Sequence, residues 1–251
     1  MQRAPTTRIA APRKPFAAAS AGSSSRRSGA SSCTATKRRS CAAAPRSWRR
    51  RAPEAGPDVE IFVECSEFFS PRTLPMVDAA LHPFRPGWFE EPVPFENAAV
   101  MAAMQAQIRT PIATGERLLS RFEYRELLVH GGCRIIQPDL MHAGGITEVR
   151  RIASLADTWY VPVAPHNPGG PICTVAAMHL AASIPNFYIL EQMEPQRAIR
   201  DLASRPAVRF EDGHFLMPEG PGLGLEPDLE ALKDLPFKQQ PRVERNGALW
   251  R

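Results

Sequence analysis

Six ionisable side chains recur along the chain, each at or just after a short apolar run. Successive members lie 26, 26, 23, 27 and 25 residues apart, which suits a repeat of one β-strand, one helix and short loops. In such a repeat the C-terminal ends of parallel strands meet at one edge, so these side chains are expected to gather there. They are Glu64, Glu90, Glu116, Asp139, His166 and Glu191.

The first three of these acids have the chemistry of a metal site. Mg²⁺ is a hard cation that prefers oxygen ligands near octahedral positions, and carboxylates on three consecutive strand ends can supply them. The spacing therefore predicts that Glu64, Glu90 and Glu116 bind one Mg²⁺. The alternative is that the three carboxylates form ordinary ion pairs at the edge of the sheet.

An acid followed by a histidine one strand later suggests acid–base chemistry. Asp139 and His166 would lie side by side on neighbouring strands, where the carboxylate could orient the imidazole ring and keep it basic. Most histidines in loops are not catalytic. His166, however, lies between Pro165 and Pro168, and these prolines restrict the backbone that carries it.

The alternation of apolar strands with helical segments predicts the fold class. We expect an α/β protein, a (β/α)₈-type TIM barrel with about six βα units. A doubly wound sheet also alternates strand and helix, but its ligands gather at one switch point. The row of six ionisable strand ends therefore favours the barrel.

Composition and charge argue against several classes of protein. Hydrophobic residues make up 43% of the 251 residues and charged residues 23%, which is typical of a soluble globular protein. No apolar run reaches the roughly 18 to 20 residues of a membrane span. The five cysteines form no Cys-x-x-Cys motif, so a reduced compartment is expected, without a zinc knuckle or a disulfide framework. Residues 1–52 hold 13 of the 31 Lys and Arg and none of the 26 Asp and Glu; the remainder is acidic, and no nucleic-acid partner is expected for it.

The N-terminal segment differs from the rest of the chain. Residues 10–58 contain no Val, Ile, Leu or Met, so residues 1–56 are predicted to be disordered because they cannot offset the entropy of ordering. They could be an organelle transit peptide, a basic tail that binds RNA or an acidic partner, or a translated stretch outside the fold. Residues 57–193 are predicted to form the barrel, and residues 194–251 a hairpin around Asp212-Gly213 and a tail.

Six short motifs follow one another in a fixed order along residues 56–225. They are WFEEP at 88–92, ATGER at 113–117, IQPD at 136–139, GGITE at 144–148, APHN at 164–167 and PNF at 185–187. Together they resemble the mandelate racemase and muconate lactonizing enzyme branch of the enolase superfamily. Within that branch the similarity is greatest to sugar-acid dehydratases of the galactonate dehydratase type.

The resemblance implies a barrel with a smaller α+β capping domain, a bound Mg²⁺ and removal of the proton α to a carboxylate. Glu90 and Glu116 match the second and third metal ligands of the family. Glu64 stands where the first ligand is usually Asp. Its longer side chain is expected to reach the same ion.

The resemblance also implies roles for the remaining site residues. Asp139 and His166 match a dyad in which the histidine is the base, and Glu191 matches the acid that hydrogen-bonds the substrate carboxylate. Arg117 and His166 are expected to contact the substrate as well. The histidine that acts as general acid in the dehydratases is replaced here by Ser66.

The sequence therefore predicts a magnesium-dependent, galactonate-like sugar-acid dehydratase that works by α-proton abstraction. The pattern lacks the capping domain and two strands expected before Glu64, so the barrel is predicted to be incomplete. The alternative is a truncated, non-catalytic relative with a partner-binding role or none. A cytoplasmic location is expected, or an organelle if residues 1–52 are a transit peptide. The expected partner is a small sugar acid, without membrane contact, and a homo-oligomer is left open.

Overall fold

The computed structural model describes residues 8–10, 59–193 and 201–233. Its strands are β1 (Arg8–Ala10), β2 (Val63–Glu64), β3 (Phe89–Glu90), β4 (Ile112–Thr114), β5 (Ile135–Ile136), β6 (Ser204–Arg205), β7 (Phe210–Glu211), β8 (His214–Leu216) and β9 (Glu226–Pro227). Its helices are α1 (Leu74–Leu81), α2 (Ala98–Gln107), α3 (Arg121–His130), α4 (Gly145–Asp157), α5 (Pro171–Ser183) and α6 (Leu229–Lys233), with a 3₁₀ turn at His82–Phe84.

Strands β2 to β5 form a parallel sheet in chain order, and a helix separates each strand from the next. Parallel backbone bridges extend the array, because Val163 pairs with Ile136 and Phe187 pairs with Val163. The six predicted strand positions thus follow one another in the predicted order. Near the two ends of this array, the Tyr188 hydroxyl donates to the Glu60 carboxylate at 2.9 Å. The fold is of the barrel type, and incompleteness of the barrel stays a prediction.

Two apolar clusters lie on opposite faces of the strand array. Successive side chains of a strand point to opposite faces, and each of the six strand positions contributes one residue to each cluster. In the smaller cluster, Phe62 and Trp88 stack with ring centroids 3.5 Å apart. Its other members are Ala113, Ile135, Ala164 and Ile189. The strand residues in the larger cluster, which includes the helices, are Val63, Phe89, Ile112, Ile136, Val163 and Leu190.

Local signals in the sequence explain where the helices begin and end. The Asn97 side chain accepts a hydrogen bond from the Val100 amide at 3.0 Å and caps α2, which satisfies one donor of the first turn. Ser120 and Glu123 form a capping box at the start of α3. The helix ends at Gly131, whose φ of 70° is readily adopted by glycine.

The C-terminal segment packs back onto the barrel body. Strands β7 and β8 form the hairpin that was predicted around Asp212-Gly213, and Glu211 pairs with His214. Phe215 and Leu225 belong to the larger apolar cluster. The segment therefore stays against the barrel at least as far as Leu225, although it was predicted to become a tail.

The prediction of disorder for residues 1–56 is wrong at Arg8–Ala10, since β1 pairs with β8 in an antiparallel arrangement. The rest of that segment lies outside the described residues, as do residues 194–200 and 234–251. The barrel and C-terminal boundaries remain predictions. In the part of the chain that is described, no helix has the length and apolar character needed to cross a bilayer.

Candidate active site

The strand register brings the predicted site residues together. Glu64 and Glu90 are directly paired on β2 and β3, and Glu116 follows two residues after the end of β4. A parallel bridge pairs Asp139 with His166 on the next two positions. The C-terminal edge of the array therefore carries these side chains, as the spacing predicted.

Glu64 and Glu90 lie close enough to influence each other's ionisation. Burial raises the pKa of Glu90 to about 8, and the charge of Glu64 adds to the effect. Burial also raises the pKa of Glu64, and the charge of Glu116 adds to that shift while hydrogen bonds from Ser66 oppose it. The three carboxylates thus crowd one edge, and ionising Glu64 and Glu90 together is unfavourable.

Three carboxylates have the donor chemistry that a hard divalent cation requires, and the assignment of a metal to them stays a prediction. Oxygen donors whose charges repel one another are what Mg²⁺ neutralises on binding. The arrangement is not a preformed cage, since among the described residues no group of three His, Cys, Asp or Glu side chains stands in a metal-binding geometry. Each acid instead has a protein partner. The Ser66 hydroxyl donates to Glu64 at 2.8 Å, the Trp88 indole donates to Glu90 at 3.1 Å, and His166 Nε2 lies 3.3 Å from Glu116.

Asp139 and His166 form the predicted dyad. His166 Nδ1 lies 2.8 Å from Asp139 Oδ2. The second carboxylate oxygen of Asp139 accepts hydrogen bonds from the amides of Met141 at 2.7 Å and His142 at 3.2 Å. Asp139 is fully buried, so its position is fixed by these bonds and by packing.

The dyad shifts the ionisation of both partners. Burial opposes ionisation of Asp139, but the hydrogen bonds from His166 and the Met141 amide outweigh it and lower the pKa of this carboxyl. Burial would lower the pKa of His166, but the bond to Asp139 and the charges of Glu191 and Glu116 raise it to about 9. An ionised Asp139 favours a proton on Nδ1, which leaves Nε2 as the atom that can accept a proton.

Glu191 lies at the last strand position of the site. The Asn167 amide donates to its carboxylate at 2.7 Å, and the Asn167 side chain donates to its backbone carbonyl at 3.0 Å. Burial raises the pKa of Glu191, although the Asn167 amide and the charge of His166 oppose the shift. Asn167 was not predicted as a site residue. The signal in the sequence was its position directly after His166 in the APHN motif, and the structure shows it to be completely buried.

Arg117 is surrounded by carboxylates. Its guanidinium lies 2.8 Å from Glu67, 3.5 Å from Glu116 and 3.8 Å from Glu91. Substrate binding by Arg117 stays a prediction. The buried acids Glu67 and Glu91 were not identified from the sequence, and the only local signal was the adjacency of Glu91 to Glu90. His142 was also missed, and its Nδ1 lies 3.9 Å from Asp139 Oδ2.

The comparisons with known proteins agree with the barrel-type fold. The family model described as Enolase C-terminal domain-like matches residues 35–232. The chain belongs to this family. The match begins within the N-terminal segment 1–56 and extends into α6, so the enolase-like region includes the C-terminal hairpin.

Curated relatives and solved structures carry the names that the motifs suggested. D-galactonate dehydratase of Cronobacter sakazakii is 35% identical over 204 residues, which cover 79% of this chain and 53% of the relative. D-xylonate dehydratase of Haloferax volcanii is 38% identical, with 71% of this chain and 43% of the relative covered. A crystal structure of an enolase from Agrobacterium radiobacter, with bound Na and L-malate, has a TM-score of 0.74 at 32% identity and covers 82% of this chain and 56% of that one.

Other solved structures similar to this enolase-family chain are described as mandelate racemase/muconate lactonizing enzyme-like. The resemblance to that branch of the enolase superfamily is thereby confirmed. The chain spans about half the length of the curated relatives that it matches.

Proposed function

We propose that this chain is a sugar-acid dehydratase that removes the proton α to a carboxylate and expels the β-hydroxyl as water. The observation that carries the proposal is the position of His166, whose Nδ1 is held by Asp139 while Nε2 points toward Glu116. The names of the galactonate and xylonate dehydratases to which the chain is similar support the same class of reaction.

His166 is the proposed base. Nε2 takes the α-proton while Asp139 keeps the ring in the required tautomer and stabilises the imidazolium that forms. Because the pKa of His166 is raised to about 9, the neutral imidazole becomes more abundant as the pH rises. Breaking the C–O bond to the β-hydroxyl then yields an enol and water, and the enol becomes a 2-keto acid.

Glu64, Glu90 and Glu116 would hold the Mg²⁺ that the family implies. A bound divalent cation supplies positive charge next to the substrate carboxylate, which lowers the cost of the negative charge that develops when the α-proton leaves. The fold would bring the three acids to one edge of the strand array. For Glu64 and Glu90 this follows from the pairing of β2 with β3.

Glu191 and Arg117 are proposed to orient the substrate. Burial raises the pKa of Glu191, which favours the protonated form that can donate a hydrogen bond to the substrate carboxylate. Arg117 would add positive charge at the same edge. Ser66, at the position of the family's general acid, donates its hydroxyl hydrogen to Glu64. A hydroxyl is a weak acid, so protonation of the leaving hydroxyl is expected to limit the rate.

The experiment is a screen of aldonic acids with Mg²⁺ in D₂O, in which deuterium incorporation at the α carbon and 2-keto acid formation are followed in one sample. His166→Asn is expected to lower both rates by about 100-fold or more, because it removes the proton acceptor. His130→Asn is the matched control, since His130 lies at the far end of α3.

Three outcomes separate the hypotheses. Exchange that persists in His166→Asn would show that another group is the base. Ser66→His should raise keto-acid formation and leave deuterium exchange unchanged if the leaving hydroxyl lacks an effective acid. No turnover of any acid by the wild type would favour the alternative, a non-catalytic enolase relative.

A further inference from the structure

Glu91 is a buried acid that the proposed reaction does not use. It directly follows the proposed metal ligand Glu90, yet its side chain is almost fully buried, with 1% of its surface exposed. Glu91 lies one residue beyond the end of β3, and its carboxylate contacts Thr114 and Gly115 of the neighbouring segment. A buried carboxylate is costly unless hydrogen bonds satisfy it. Its partners therefore indicate what it does.

The partners of Glu91 lie on both sides of Glu116. Glu91 Oε1 accepts a hydrogen bond from the Thr114 hydroxyl and another from the Gly115 amide, the latter at 2.9 Å. Its second oxygen lies 3.8 Å from Arg117 Nε. The residues immediately before and immediately after Glu116 are thus tied to one carboxylate on the neighbouring strand.

The backbone carbonyl of Gly115 is held as well. The Tyr124 hydroxyl donates to it at 2.6 Å from α3, and Tyr124 is completely buried. Both polar groups of the Gly115 backbone therefore have fixed partners. Because Gly115 directly precedes Glu116, its orientation sets the direction in which the Glu116 side chain leaves the backbone.

A second link joins this segment to the loop after Glu64. Arg117 forms an ion pair with Glu67 at 2.8 Å, and the Glu67 amide donates to the Glu91 carbonyl at 2.6 Å. Residues that follow each of the three proposed metal ligands thus contact one another. The contacts connect the loops that follow β2, β3 and β4, and Arg117 Nε also lies 3.5 Å from the Glu116 carboxylate.

The backbone in this region adopts an uncommon conformation. Ser66, Glu67 and Glu91 have φ values of 46°, 58° and 43°, in the left-handed region that non-glycine residues seldom occupy. Such conformations persist only where the surrounding contacts enforce them, and they concentrate at functional sites. Here they occur in the two loops that follow β2 and β3.

We propose that Glu91, with the Arg117–Glu67 ion pair, positions the Gly115–Arg117 segment and thereby directs Glu116 toward the proposed cation site. The inference rests on the proposed function for the identity of the site. It assigns Glu91 and Glu67 the role of positioning residues and gives Arg117 this role in addition to the proposed substrate contact. Glu91 is the central one because it contacts both flanks of Glu116.

The test compares Glu91→Ala with Glu91→Gln in the full chain. Alanine removes the acceptor for Thr114 and Gly115, whereas the glutamine carbonyl retains it. Both substitutions keep a Cβ at a positive φ, so backbone strain is matched. Glu126→Ala is the control, because Glu126 is an exposed acid on α3 whose partner is Arg125.

Two quantities are measured at a temperature where every variant is folded. The first is the dissociation constant for Mn²⁺, followed by the electron paramagnetic resonance of the free ion. The second is amide hydrogen exchange at Gly115 and Glu116 without metal. Glu91→Ala is expected to weaken Mn²⁺ binding about tenfold or more and to accelerate exchange at both amides. Glu91→Gln and Glu126→Ala should stay within about threefold of the wild type.

The outcomes separate this inference from the proposed function. A folded Glu91→Ala with wild-type Mn²⁺ affinity and wild-type exchange overturns the positioning role, as does equal weakening by alanine and glutamine. If the wild type binds no Mn²⁺, the proposed metal site fails, and the exchange at Gly115 and Glu116 alone decides the positioning role. If Glu91→Ala does not fold, Arg117→Met tests the positioning role instead. Faster amide exchange is expected at Glu67 and Glu116 in this variant. Unchanged exchange would overturn the role.

Discussion

Replacing Glu90 by glutamine tests the electrostatic account of the site. The folded protein holds the pKa of Glu90 at about 8, against 4.5 for an unperturbed glutamate. Between these two pH values the folded state binds a proton that the unfolded chain has released. Stability is therefore lost as the pH rises through this window, because the slope of the unfolding free energy is negative where the folded state binds more protons.

The size of the effect follows from the difference between the two pKa values. At 1.36 kcal/mol per pH unit, complete ionisation of Glu90 costs at most about 5 kcal/mol. About 3 kcal/mol of this falls between pH 5 and pH 8. Glutamine carries no charge at any pH and retains an oxygen that can accept from the Trp88 indole. Glu90→Gln should therefore be similar to the wild type at pH 5 and more stable at pH 8.

Urea unfolding at pH 5 to 8, with and without Mg²⁺, measures this difference. A cation at 100 times its dissociation constant adds about 2.7 kcal/mol to the stability of the wild type, and the gain should be smaller in Glu90→Gln because a ligand charge is missing. Glu126→Gln is the control for loss of an exposed glutamate. Equal unfolding free energies for wild type and Glu90→Gln at every pH would refute the reasoning, and no response of the wild type to millimolar Mg²⁺ would remove the metal assignment.

Three further predictions concern residues that position the site. Asp139→Asn should lower the pKa of His166 below 9, seen in an NMR titration of the ring, and slow α-proton exchange by about 100-fold; an unchanged titration would contradict the dyad. Gly115→Ala should destabilise the protein by about 2 to 4 kcal/mol, because φ is +132° and a Cβ would lie 2.7 Å from the Tyr124 hydroxyl; urea unfolding measures the loss, and a neutral result would contradict the close approach. Ser120→Ala should cost about 1 kcal/mol through loss of the capping box, which thermal unfolding would detect, and an effect below about 0.3 kcal/mol would show that the cap contributes little.

The sequence alone determined the repeating plan of the chain, because the signals involved are local. Short apolar runs that end at Glu90 or Asp139 are spaced by one helix each, and parallel strands connected in this way place their ends at one edge. The ends of the helices could also be predicted from the sequence. The glycine at 131 suits the left-handed end of α3.

The tertiary structure decided which way each side chain points and what it contacts. Glu90 and Glu91 are identical neighbours in the sequence, yet only the folded backbone places one at the edge of the site and buries the other against Gly115. The contacts of Arg117 with Glu67, and the packing of Phe215 against the barrel, join segments far apart along the chain. No local pattern encodes such contacts, because they depend on loop conformations with positive φ and on the shape of the surface against which each segment packs.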